Sequence, residues 1–135
     1  MSKSENQKPT NFKFVFQTGA NRTLRNYNFK KALEVILNSE SDRECIKIVF
    51  LDTGNVWAYS KSAVNAFLNG ELLYEELEER YQCDNVYRNT ETVIAENRTS
   101  YYPGNLWCKK EDHLVLVDDD DYIITEYSNL FEVVN

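Results

Sequence analysis

The sequence is short of the residues that specialised chemistries need. Its 135 residues include one histidine, three cysteines, one methionine, two prolines and four glycines. So little glycine and proline excludes a collagen-like or low-complexity chain. The cysteines, at positions 45, 83 and 108, are odd in number and far apart, which is not the pattern of a disulfide framework. They include no Cys-x-x-Cys spacing, and His113 stands alone, so a zinc site lacks its ligands. No apolar run approaches the roughly 20 residues of a membrane helix. Met1 to Lys8 carries no apolar segment of the kind a secretory signal has. There is no Gly-x-Ser-x-Gly elbow, and Gly19-Ala20-Asn21 lacks the spacing and the Lys-Ser/Thr of a phosphate loop. These absences lead us to expect a cytoplasmic protein with reduced thiols, no cofactor and no membrane contact.

What is present is enough for a core. Hydrophobic residues make up 42% of the chain, aromatics 13% and charged residues 27%. That composition and length predict a flexible N-terminus over residues 1–10 and a single domain over 11–135. Phe12-Lys13-Phe14-Val15-Phe16 reads as a strand, and the polar residues 18–26 read as a loop. Asn28 is placed to cap a helix from Phe29 to Leu37, whose Phe29, Leu33, Ile36 and Leu37 form one stripe. Cys45 to Leu51 and Val56 to Tyr59 flank Asp52-Thr53-Gly54-Asn55 as a hairpin. A short helix follows, capped by Ser60 or Ser62 and closed at Asn69-Gly70. A second helix is expected from Glu71 to Tyr81, with Leu73, Leu77 and Tyr81 on its apolar face.

The last third reads as all-β. Val86-Tyr87-Arg88 and Thr92 to Ala95 flank a short turn, and 97–105 form a loop. Leu106-Trp107-Cys108 begins a further strand. His113 to Val117 and Tyr122 to Tyr127 form a hairpin with an acidic tip, and Leu130 to Val134 adds an edge strand. The fold class is therefore α+β: a mainly antiparallel sheet with two or three helices packed on one face.

Charge is unevenly divided. Residues 1–61 hold ten basic and six acidic side chains, a net +4, whereas 62–135 hold five basic and sixteen acidic, a net −11. Such asymmetry marks either an electrostatic partner surface or two halves that pack against each other.

Four constellations are candidates for function. Asp52-Thr53-Gly54, after the apolar strand Ile48-Val49-Phe50-Leu51, resembles the catalytic signature of aspartic proteases. The resemblance implies a homodimer in which two copies of Asp52 share a proton. It covers under ten residues. The family's late apolar-apolar-Gly segment and its glycine-bearing flap have no counterpart, since Gly70 follows Leu68-Asn69 and Gly104 follows Tyr102-Pro103. The run Asp118, Asp119, Asp120 and Asp121 does not follow the calcium-loop pattern, because Ile123 and Asn129 occupy its glycine and glutamate positions. The basic N-terminal residues Lys13, Arg22, Arg25, Lys30 and Lys31, beside Phe12, Tyr27 and Phe29, have the composition of a single-strand nucleic-acid binder. The acidic chain as a whole disfavours direct nucleic-acid binding. Finally Tyr101, Tyr102 and Trp107 have the character of interface anchors.

The expectation is a non-enzymatic, protein-binding, acidic inhibitor. Its contacts would be Glu75, Glu78, Glu79, Tyr101, Tyr102, Trp107 and Asp118 to Asp121, with carboxylates taking the place of phosphates on a basic, nucleic-acid-processing partner. Phage anti-defence inhibitors, anti-CRISPR proteins among them, and immunity proteins are of this type. The alternatives are a nucleic-acid-binding accessory protein using the basic N-terminal region, and an aspartic-protease-like hydrolase using Asp52.

Overall fold

The computed structural model describes residues 8–39, 43–124 and 129–134. The first strand, β1 (Thr10–Phe16), alternates as expected and sends Phe12, Phe14 and Phe16 to one face and Val15 to the other. It pairs antiparallel with β2 (Asn21–Tyr27) and with β3 (Cys45–Phe50). β3 turns through residues 51–55 into β4 (Val56–Ala58), which pairs with β5 (Gln82–Cys83). The first sheet runs in the order β2-β1-β3-β4-β5. A second has the order β11-β10-β9-β6-β12, from β6 (Asn85–Asn89), β9 (Leu106–Lys110), β10 (His113–Leu116), β11 (Tyr122–Ile124) and β12 (Phe131–Val133). Between β6 and β9 a short ribbon pairs β7 (Val93–Ile94) with β8 (Ser100–Tyr101). Among the described residues every strand pairing is antiparallel, and three helices accompany the strands: α1 (Phe29–Ser39), α2 (Lys61–Leu68) and α3 (Tyr74–Tyr81). The fold is α+β.

The layers follow from which side chains each strand face offers. The helices cover one face of the first sheet, where Phe12, Phe14, Leu33, Ile48, Trp57 and Leu77 are buried together. The opposite face carries Val15, Ile46 and Ala58 and packs on Val86, Cys108, Val117 and Val134 of the second sheet. The far side of the second sheet buries Trp107, Leu114, Leu116, Ile123 and Phe131 with Val93 and Ala95 of the ribbon. β3 achieves its two-faced burial with a bulge. Val15 opposes Lys47 and Phe16 opposes Cys45, so Ile46 is one extra residue, and both Ile46 and Lys47 face the second sheet. Lys47 is buried there and donates to the Val134 carbonyl (2.8 Å) and to Asn85 Oδ1 (3.2 Å). No carboxylate is among these partners. Burial, with Lys13 nearby, holds its ammonium below the ordinary lysine range.

The helix caps match their sequence signals. Asn28 Oδ1 accepts from the Lys31 amide (2.8 Å), Ser60 caps α2, and Gly70 takes the left-handed conformation (φ +81°) beyond it. Several expectations are corrected. Residues 21–27 are a strand, not a loop. Only Leu24 of β2 is buried, so an edge strand with one apolar side chain gives almost no alternation to read. The second helix starts at Tyr74, three residues later than Glu71, and Leu73 stands outside it, 62% exposed, rather than on its buried face. Residues 86–88 and 92–95 do not pair with each other. The buried Asn89 side chain donates to the carbonyls of Glu91, Tyr101 and Tyr102, which turns the chain away so that β7 meets β8. The hairpin of β10 and β11 is found as expected through Ile124, and 125–127 lie outside the described residues, as do residues 1–7 of the expected flexible N-terminus.

Two outcomes are expected. Phe29 packs against Phe12, Phe50, Trp57, Phe67 and Tyr74 with centroids 5.2–5.8 Å apart. Phe29→Ala should therefore cost about 3–5 kcal/mol in urea unfolding. For Lys47 the unfolded chain holds its proton to higher pH than the folded one. Stability contributed by this residue must then rise with pH between its depressed folded value and the ordinary lysine value. Unfolding of wild type and Lys47→Met at pH 7 and above 9 should show the wild type gaining on the variant.

Candidate functional site

α3 is built from strong helix formers, Tyr74-Glu75-Glu76-Leu77-Glu78-Glu79-Arg80-Tyr81. Its start is set by Glu76, whose carboxylate accepts the Leu73 amide (2.9 Å), and the acids of its first turn and Arg80 in its last complement the helix dipole. Tyr74 and Leu77 are buried, so at about 100° per residue Glu75 and Glu79 point outward. The half-buried Glu78 lies on one flank and Arg80 on the other. α3 sits over β4 and β5, at one edge of the first sheet. α1, with Lys30 and Lys31, sits over β2 at the opposite edge. Four strand spacings, about 19 Å, separate β2 from β5. Thus Arg22 and Arg25 on β2 do not lie against the acids of α3.

The acidic tip between β10 and β11 is held to α3 by Arg80. Its guanidinium donates to the carbonyls of Leu116 (2.9 Å), Val117 (3.2 Å) and Asp119, and its Nε lies 4.0 Å from the Asp120 carboxylate. Lys110 adds a bond to the Glu79 carbonyl (2.6 Å). The last turn of α3 and the tip therefore adjoin. Arg80 was not among the residues the sequence suggested. A lone basic residue in a last helical turn is an ordinary capping feature, and its long-range role has no sequence signature.

The four aspartates divide by environment. Asp119 and Asp120 are exposed. Asp118 accepts from the Ser60 hydroxyl (2.8 Å), joining the tip to the start of α2. Asp121 is a correction to the expected contact set, because it is buried. It accepts from the Tyr101 hydroxyl (2.8 Å) and the amides of Tyr122 (3.0 Å) and Asn97 (3.3 Å). Trp107 is a second correction: it is 0% exposed and its indole N–H donates to Asn89 Oδ1 (3.2 Å). Tyr101 is half-buried, with its ring edge-on to Trp107 at 5.4 Å. Its bond to Asp121 raises the phenol above its ordinary value. Of the three aromatics only Tyr102, 78% exposed, is open to a partner.

Asp52 lies in the exposed β3–β4 turn and is engaged with the start of β1. It accepts from the Thr10 hydroxyl, from Asn11 Nδ2 (3.1 Å) and, more weakly, from the Asn11 amide (3.4 Å). Beside it, a cavity of about 440 Å³ opens over Phe50, Trp57 and Tyr74, with Glu78 on its wall and Lys8 at its lip. Sequence reading missed this cavity, because Asp52 and Glu78 come from elements far apart in the chain. Cys45 is buried, which pushes its thiol up to about 12 and leaves it an apolar filler. Among the described residues, no three His, Cys, Asp or Glu side chains converge as metal ligands, and no helix is long and apolar enough to cross a membrane. Protein-family models, curated proteins and solved structures give no match to the chain.

The two kinds of aspartate should separate on substitution. Asp121→Ala strands three donors and should cost about 1.5–3 kcal/mol in denaturant unfolding. Asp120→Ala should change stability by about 0.5 kcal/mol or less.

Proposed function

We propose that the chain is a non-enzymatic protein-binding domain that covers a basic, nucleic-acid-binding surface of a partner, as anti-CRISPR-type phage inhibitors and immunity proteins do. The observation that carries this reading is the junction made by Arg80. It ties the last turn of α3, the helix that carries the outward Glu75 and Glu79, to the tip that carries the exposed Asp119 and Asp120, at the edge opposite the basic strand β2. Carboxylates held close together on rigid elements repel one another, and a cationic partner relieves that repulsion. Leu73, exposed between Glu71 and Glu75, offers an apolar contact within the same region. Arg80 and Lys110 soften the field but are occupied by backbone carbonyls.

A second reading has one observation in its favour. The exposed Arg25, Lys30 and Lys31 cluster on β2 and the start of α1, as a nucleic-acid contact would need.

Immobilised chain in nuclease-treated host lysate should retain a basic protein in stoichiometric amount at low salt. The quadruple variant Glu75→Gln, Glu79→Gln, Asp119→Asn, Asp120→Asn should reduce that retention about tenfold or more. Equal retention by the variant would overturn the reading. Retention of nucleic acid alone in untreated lysate, lost when Arg25, Lys30 and Lys31 are neutralised, would replace it with the second.

A further inference from the structure

We infer that the cavity between the β3–β4 turn, the start of β1 and α3 receives an arginine side chain of the basic partner. This rests on the reading of α3 as the partner-facing element. The cavity, about 440 Å³, joins two features that rarely meet without a cation: ring surface and carboxylates. Its walls include the rings of Phe50, Trp57 and Tyr74, with Phe50–Trp57 centroids at 4.9 Å and Trp57–Tyr74 at 5.5 Å. Phe50 is only half-buried and provides most of the open ring surface, while Trp57 and Tyr74 form the floor behind it.

The carboxylates lie on two sides. Glu78 is half-buried, and no described residue donates to its carboxylate or pairs with it. Asp52 accepts from Thr10 and Asn11 but remains exposed, and a carboxylate offers about four acceptor positions. Among the described residues, Lys8 is the one cation that lines the cavity; it is exposed and makes no ion pair with either acid. A carboxylate taken partly out of water beside aromatic rings is short of a countercharge.

Guanidinium suits this chemistry better than ammonium. It is planar, stacks on a ring such as Phe50, is weakly hydrated, and donates in a fork to carboxylates such as Glu78. Glu78 also flanks the outward stripe of Glu75 and Glu79, so an arginine entering here would belong to the same basic surface that meets the helix.

The probe is acetyl-arginine amide, titrated into the millimolar range against the whole chain, with Trp57 fluorescence and calorimetry as readouts. Trp57 lines the cavity, whereas Trp107 is buried in the second sheet. A saturable response is expected that Glu78→Gln weakens about fivefold to tenfold, with acetyl-citrulline amide, the neutral isostere, giving none. The half-buried Glu78 side chain makes no bond to a described residue, so the variant keeps the fold testable; far-UV circular dichroism checks this. No saturable response, an equal response to citrulline, or an unchanged Glu78→Gln would overturn the pocket. Equal binding of acetyl-lysine amide would overturn the choice of guanidinium. Loss of the probe response with partner capture intact would remove the pocket alone. A probe response in a chain that captures no partner would remove the acidic-surface reading alone.

Discussion

The structure depends on burying both faces of the first sheet. β1 and β3 must be apolar toward the helices and apolar again toward the second sheet, and each solves this differently. β1 alternates, with phenylalanines on the helix side and Val15 opposite. β3 inserts Ile46 as a bulge, so that two neighbouring side chains reach the second sheet. One of those is Lys47, whose ammonium ties β3 to Asn85 and to Val134 beside the last strand. A buried ammonium is costly, and its partners among the described residues are neutral acceptors. Its geometry nonetheless specifies how the two sheets sit on each other.

From that frame the candidate surface is assembled by a few polar ties. Arg80 reaches from α3 to three carbonyls around the acidic tip, and Ser60 holds Asp118. These bonds position the tip against two helices. They also consume polar groups that sequence reading had assigned to a partner. Asp121 and Tyr101 hold each other, and Trp107 is held by Asn89. Of the expected contact carboxylates, Glu75, Glu79, Asp118, Asp119 and Asp120 are exposed, Asp118 being held by Ser60 as well, whereas Glu78 is half-buried and Asp121 buried. The basic β2 edge lies four strand spacings, about 19 Å, from β5, so Arg22 and Arg25 do not lie against the acids of α3.

Much of the local structure was legible in the sequence because local chemistry decides it. Asn28 and Ser60 cap helices, Gly70 ends one, and Asp52 to Asn55 make a turn, each by bonds within a few residues. Alternation marked β1, and an apolar, β-branched run marked β3. β2 was not legible, because its partner β1 supplies the pairing and only Leu24 supplies burial. The pairing of β7 with β8 was not legible either, since the diverting residue, Asn89, reads as an ordinary strand-end polar group until its carbonyl partners are known.

By itself, the sequence determined the α+β class, the hairpins, the helix caps and the separation of basic from acidic halves. These depend on period, turn chemistry and charge, all properties of neighbouring residues. Only the tertiary structure decided which acids face water, which aromatic is open, and that Asp52 and Glu78 share one cavity. Those facts depend on contacts between residues far apart in the chain, such as Tyr101 with Asp121 and Arg80 with Leu116. Burial and pairing exist only once such contacts form.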